Sequence, residues 1–238
     1  MLDDAPRRDG VAMSPRAGSP LAIVIGAGPG IGRAVAERFG REGFRLALLA
    51  RRGERLRRLT AALGRAGVPA VAAEADAGDP KALRCALDEL TGVHGDPQVL
   101  VYNAAADPAG RPSTLDLTTL TDAFAVNVGG LLTSAQTVLP AMREHGRGTI
   151  IATGAGAALD PRPEETATAV GKAAARALLL ALAKEVEFDG VHVALVTVLG
   201  SVAPGTAFTP AGIADAFWTL HTEPSGAWRT EVLFGGRP

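Results

Sequence analysis

The segment Gly26-Ala27-Gly28-Pro29-Gly30-Ile31-Gly32 is where residue type and spacing point most directly to chemistry. Glycines at this spacing let the backbone turn tightly and approach a pyrophosphate. A helix beginning at the end of the turn adds free N–H groups and a partial positive charge. An ordinary tight turn would also use glycine, but placement in the first strand-to-helix turn favours the phosphate reading. A second chemical feature is Arg51-Arg52, at the end of the second apolar run. An acidic residue there would bond the ribose hydroxyls of NAD, whereas a guanidinium fits a 2′-phosphate, so NADP(H) is favoured over NAD(H). The alternative is that both arginines belong to the solvated face of the Arg-rich stretch that follows.

Of the 24 basic residues only Lys81, Lys172 and Lys184 are lysine, and Tyr102 is the one tyrosine. The four histidines, His94, His145, His192 and His221, are scattered with no i, i+4 pair. The single cysteine, Cys85, excludes a disulfide framework and a Cys-cluster metal site. It lies in a helical pattern, where a small buried residue is expected.

These residues need elements to carry them. Apolar runs at 21–25, 45–50, 68–73, 98–103, 148–153, 191–199 and 230–234 read as strands. Helical patterns cover 33–42, 53–66, 80–90, 115–142, 165–188 and 213–221. The alternation predicts right-handed crossovers and an α/β Rossmann-type doubly wound parallel sheet, helices on both faces, in one domain over 21–238. Residues 1–20 have no apolar periodicity and read as a flexible tail. At 238 residues with a net charge of -1, the chain has no basic excess for nucleic acid or an anionic membrane. No apolar stretch approaching the ~20 residues of a span stands out. The expectation is a cytoplasmic protein with a small-molecule substrate. The helix over 165–188 is apolar round much of its circumference, which calls for burial on two sides, one of them a homodimer or homotetramer interface.

With those pieces in place the chain resembles the short-chain dehydrogenase/reductase family from about residue 21 to 236. Gly26, Gly30 and Gly32 match that family's TGxxxGxG turn, with Ile25 in place of threonine and Gly28 and Ile31 among its intervening residues. Asp76, followed by Ala77, matches its adenine-contacting aspartate. Tyr102-Asn103-Ala104-Ala105 stands where the family has NNAG. Asn127 matches an asparagine that holds a water in the family's proton relay, and Lys172 matches the lysine of its YxxxK motif. The resemblance implies that Gly26, Gly28, Gly30, Ile31, Gly32, Arg51, Arg52, Asp76, Ala77, Asn103 and Lys172 hold the cofactor. Lys172 would reach the nicotinamide ribose, with Asn127 and Thr168 at the reacting end.

The resemblance also exposes departures. Thr168 stands four residues before Lys172, where the family has its proton-donating tyrosine, and Ala155 stands at the position of the serine that holds the substrate oxygen. A threonine hydroxyl is far too weak an acid to replace a phenol. General acid–base catalysis is worth about 10²–10⁴-fold, so ordinary carbonyl reduction should be crippled. Thr153 and Thr166 could donate hydrogen bonds. Glu164 and Glu165 could act as acid or base if desolvated, or merely favour the helix dipole. Only Ser201 to Pro210 separates Gly200 from the last helix, where the family carries a longer substrate lid. The sequence therefore reads as a divergent NADP(H)-dependent oxidoreductase. The proton would come from water, a threonine relay or the substrate itself, and an iminium or activated alkene would need less acid help than a ketone. The alternatives are a non-catalytic dinucleotide-binding sensor or oligomer partner, and a scaffold reused for cyclisation or dehydration.

Overall fold

A computed structural model describes residues 18–235. Most of the expected tail, residues 1–17, and the last three residues of the expected domain lie outside the described residues. Seven strands form one parallel sheet in the order β3-β2-β1-β4-β5-β6-β7. The strands are β1 (Leu21–Ile25), β2 (Arg45–Ala50), β3 (Ala70–Glu74), β4 (Pro97–Tyr102), β5 (Gly148–Ala155), β6 (Val191–Val198) and β7 (Glu231–Phe234). The order reverses between β1 and β4, and in an open parallel sheet a ligand crevice forms at the carboxyl ends of the strands at such a switch point. The expected fold class is what the chain adopts.

The helices are α1 (Ile31–Arg41), α2 (Gly53–Arg65), α3 (Pro80–His94), α4 (Leu117–Phe124), α5 (Gly130–Glu144), α6 (Thr166–Glu185) and α7 (Pro210–His221). They bury a core on each face of the sheet. Val35 and Phe39 of α1, Leu56, Leu59 and Leu63 of α2 and Phe217 of α7 pack on one face. Leu83 and Leu87 of α3, Leu131 and Val138 of α5 and Leu179 of α6 pack on the other. β1, β2 and β6 are buried along nearly their whole length, so they read as continuous apolar runs rather than alternating ones.

Four expectations need correction. The third strand begins two residues later than its apolar run. Val68 still closes α2, its N–H bonding to the carbonyl of Leu63 at 3.0 Å across a left-handed Gly67. The helix expected over 115–142 is not uniform. A π-helical turn at Ala125–Gly129 separates α4 from α5, and it carries Asn127. Cys85 is exposed on α3 rather than buried, because Leu83, Leu87 and Leu90 supply that helix's buried stripe. Finally, α6 is long and apolar enough by composition to cross a membrane. It nevertheless lays Ala169, Ala175 and Leu179 against the core and carries the charged Lys172 on the same buried side.

Candidate active site

The glycine turn is tight and brings backbone into close approach. Gly26 follows β1 with φ +83°, in the left-handed region, and a Cβ there would stand 2.4 Å from the amide of Ala104. Gly32 lies so close to the turn that a Cβ would meet the Gly26 carbonyl at 2.3 Å. These contacts draw the start of α1 onto the end of β1. No side chain caps that helix at Gly30. Among the described residues, the N–H groups of Gly30, Ile31 and Gly32 find no acceptor, while those of Arg33 and Ala34 turn inward to Gly28 and Gly30. Unbonded amides at a helix start, with open space on the Cβ side of Gly30, form a cradle that suits a phosphate.

A cleft of about 380 Å³ runs from this turn across the switch point. Gly26 and Gly28 line it, with Asp76 and Ala77 after β3, Asn103 after β4, and Arg51 and Arg52 after β2. Gly30, Ile31 and Gly32 do not line it; they form the start of α1 just beyond Gly28. Arg55, on the first turn of α2, joins Arg51 and Arg52 in the wall. The sequence reading missed Arg55, although its place one helical turn beyond Arg51 was a signal. Asp76 is shaped by its own loop, its Oδ1 accepting from the Gly78 amide at 2.9 Å. The residues present fit a dinucleotide: a phosphate cradle in the middle, an acid for ribose or base on one wall, and guanidinium groups at the end beyond β2.

Lys172, Asn127 and Thr168 do not line this cleft, but a chain of hydrogen bonds ties Lys172 to the glycine turn. The Lys172 ammonium on α6 donates to the Thr153 carbonyl at 2.8 Å. Thr153 donates its hydroxyl to Asn103 Oδ1 at 2.8 Å, and Asn103 donates Nδ2 to the Gly26 carbonyl at 2.9 Å. Lys172 is only 8% exposed. Burial pushes its ammonium down to about 8, the nearby Asp107 carboxylate offsetting part of that effect. Asn127 faces the backbone of Ala106, donating Nδ2 to its carbonyl at 2.9 Å and accepting its amide at 3.2 Å. The π-turn gives Asn127 that reach, and Gly171 makes room for it, since a Cβ at 171 would meet Nδ2 at 2.8 Å.

Thr168 is one turn before Lys172 on α6, and its hydroxyl donates to Asp107 Oδ1. Asp107, on the loop after β4, is exposed. It was not among the sequence candidates. It stands four residues past Asn103 in a loop that no periodicity marks, and only the fold brings it opposite α6. Two further ties hold that loop. Gly110 donates to the Glu164 carbonyl at 2.9 Å, and the Arg111 guanidinium pairs with the Glu164 carboxylate at the surface. Glu164 is thus a surface ion-pair partner, and Glu165 caps α6 with no side-chain bond. Thr166 spends its hydroxyl on the Pro163 carbonyl at 2.8 Å.

Tyr102 does not reach the reacting end. It is buried at the end of β4 with its hydroxyl donating to the Val126 carbonyl of the π-turn. Burial, then the Asp76 charge, pushes its phenol well above the ordinary range. Ala155 closes β5 with a methyl group. The loop from 199 to 209 is pinned by Phe208, which covers Gly200 and Gly235 and meets Phe234 edge-on at 6.3 Å between ring centroids. Among the described residues no cluster of three or more metal-ligating side chains forms. His221 instead meets Thr149 at 2.9 Å, and His192 stacks on Trp228 at 5.0 Å.

Comparison with known proteins agrees with this geometry. The family described as short chain dehydrogenase matches residues 20–211. Sulfoacetaldehyde reductase 2 of Chromohalobacter salexigens is 33% identical over 193 residues, covering 80% of this chain and 74% of that one. The NADP-dependent 3-hydroxy acid dehydrogenase of Salmonella typhi is 29% identical over 235 residues, covering 86% and 90%. Among solved structures, a metagenomic short-chain oxidoreductase in complex with NADP superposes with a TM-score of 0.83 at 30% identity, covering 90% of this chain and 96% of that one. Switch-point cleft, glycine cradle and sequence match together place this chain in the short-chain dehydrogenase family of small-molecule oxidoreductases.

Proposed function

We propose that this protein is an NADP(H)-dependent oxidoreductase that acts on a small organic molecule without a tyrosine proton donor. The observation that carries the cofactor half is the wall of Arg51, Arg52 and Arg55 at the end of the cleft beyond β2. Among the described residues none of the three is engaged in an ion pair. Three unpaired guanidinium groups in one wall favour a phosphomonoester over free ribose hydroxyls. Two relatives point the same way, one crystallised with NADP and one named as NADP-dependent.

The chain's own groups would act as follows. The amides of Gly30, Ile31 and Gly32 hold the pyrophosphate, Asp76 the adenosine side, and Asn103 the floor beneath the nicotinamide half. Lys172 bonds the nicotinamide ribose, and Asn127 fixes the loop at Ala106. The cofactor supplies hydride chemistry, and the protein supplies position and charge. Thr168 and Ala155 stand where the family resemblance places its tyrosine and serine, so no acid of matched strength is aimed at a substrate oxygen. The short loop pinned by Phe208 leaves the site open to water or to a partner's cover. The apolar groove between α5 and α6, of about 300 Å³ and lined by Leu132, Leu139 and Leu182, is our candidate for a homodimer or homotetramer contact.

Calorimetric titration with NADPH and NADH tests the cofactor reading. Micromolar NADPH binding with weaker NADH binding is expected, and equal affinity would remove the role given to the arginines. The missing phenol also favours a second reading, a dinucleotide-binding protein without turnover, which predicts NADPH binding but no absorbance change with any substrate.

A further inference from the structure

The hydrogen-bond inventory at the reacting end is lopsided. Thr168 gives its proton to Asp107. Asn127 spends both faces of its amide on Ala106. Thr153 donates to Asn103, Thr166 to Pro163 and Tyr102 to Val126. Ala155 has nothing to give. Among the described residues the remaining side-chain donor there is Lys172, the group assigned to the nicotinamide ribose. Acceptors remain, however. No hydrogen bond reaches Asp107 Oδ2 among the described residues, and Thr168 keeps the lone pairs of its hydroxyl. A ketone oxygen that gains negative charge during reduction would face a carboxylate, with no side-chain donor other than the Lys172 ammonium that the ribose takes. A cation would face its counter-charge.

We propose that the site takes a cationic carbon–nitrogen substrate, an iminium ion, with the Asp107 carboxylate as its counter-charge and Thr168 holding that carboxylate in place. This rests on the nicotinamide reading above and adds the substrate class to it. The reaction balances without a proton donor. Hydride adds to the iminium carbon and forms the new C–H bond. The π pair of C=N becomes the lone pair of the amine nitrogen, and the reduced nicotinamide is oxidised in the same step. Any later protonation of the amine draws on water. The missing phenol is then no defect, because no oxyanion forms.

The probes are the 2-methyl-3,4-dihydroisoquinolinium ion, its amine product 2-methyl-1,2,3,4-tetrahydroisoquinoline, and 2-tetralone as a neutral ketone of similar shape. The variant is Asp107→Asn, which keeps an acceptor for Thr168 and removes the charge at an exposed position. NADPH binding by calorimetry is measured first on both proteins. Expected results are unchanged NADPH binding, reduction of the iminium ion but not of 2-tetralone, and binding of the protonated amine about tenfold weaker in the variant. Equal amine binding by both proteins, binding by neither, or reduction of 2-tetralone as fast as the iminium ion overturns the inference while the nicotinamide reading stands. Absence of NADPH binding overturns both.

Discussion

The role proposed for Lys172 sets function against stability, and the conflict can be measured. Its ammonium is held 2.8 Å from the Thr153 carbonyl with 8% of the residue exposed, and burial brings it from 10.5 to about 8. The charged form is therefore disfavoured in the folded protein by roughly 3 kcal/mol. The folded value lies below the unfolded one, so the unfolded chain binds more protons between pH 8 and 10.5. This contribution is therefore fully present above about 10.5 and is lost as pH falls toward 8. Linkage gives a rise of roughly 2–3 kcal/mol between pH 7 and pH 10 from this group alone. Lys172→Met keeps the length and removes the charge, but leaves the Thr153 carbonyl without its donor, a loss of about 1–2 kcal/mol. The variant should be more stable than the wild type by about 1–2 kcal/mol at pH 7, lose that advantage by pH 10, and bind NADPH more weakly. Urea unfolding of both proteins at the two pH values measures this. A difference between variant and wild type that does not change with pH would refute the reasoning, whatever its sign.

Other consequences are equally direct. Arg51→Gln with Arg55→Gln should weaken NADPH binding by roughly tenfold or more while leaving NADH nearly unchanged, and added salt should narrow the gap; parallel titrations at two ionic strengths check it. Gly171→Ala would drive a methyl into Asn127, 2.8 Å from Nδ2, and should loosen the Ala106 loop, seen as faster amide exchange at Ala106 and weaker cofactor binding. His221 is held down to about 4 by burial and then by nearby His192. The folded chain therefore binds fewer protons than the unfolded one below about pH 6.5, and stability present above that pH is lost as pH falls toward 4. Discounting for partial exposure, the loss is about 1–2 kcal/mol, and His221→Gln should flatten the denaturation profile there. For Glu231, burial works against the charge, but hydrogen bonds from Arg176 and Thr197 outweigh it and hold the carboxyl below its usual range. Glu231→Gln should destabilise the α6–β7 contact at neutral pH and lose that effect in acid, read by thermal unfolding across pH.

Much of the fold was legible because burial on both faces turns strands such as β1 and β6 into unbroken apolar runs, and because helices recur between them. The errors arise where local pattern and three-dimensional role part company. Val68 is apolar and stands next to a strand, yet its amide completes the end of α2. The stretch at 125–129, Ala-Val-Asn-Val-Gly, is poor in strong helix formers, yet nothing in its periodicity announces a π-turn. What makes one there is tertiary: Tyr102 takes the Val126 carbonyl, Asn127 reaches Ala106, and Gly130 lets the helix close on Ala77, a Cβ at 130 standing 2.3 Å from the Ala77 carbonyl. Cys85 looked like a core residue because it lies in a helical pattern and free cysteine is usually buried, but helical phase gives the core to Leu83 and Leu87.

The two ends of the site differ in legibility for a physical reason. The phosphate end is built from backbone. Glycines are required where the chain turns left-handed or approaches itself, and such requirements leave a mark at fixed spacing in one short segment. The reacting end is built from side chains on β5, α6, the π-turn and the loop after β4, and its chemistry depends on how their donors and acceptors pair. The family resemblance implies two absences there, Thr168 for a phenol and Ala155 for a hydroxyl, and absences alone favour a crippled carbonyl reductase. The pairing supplies the positive term. A threonine that donates to a carboxylate has become part of an acceptor, so the same substitution that removes an acid also positions an anion. In the proposed reading, a site that cannot stabilise an oxyanion and one that stabilises a cation differ in where Asp107 lies, and Asp107 sits on a loop tied at Gly110 and Arg111 that no motif marks.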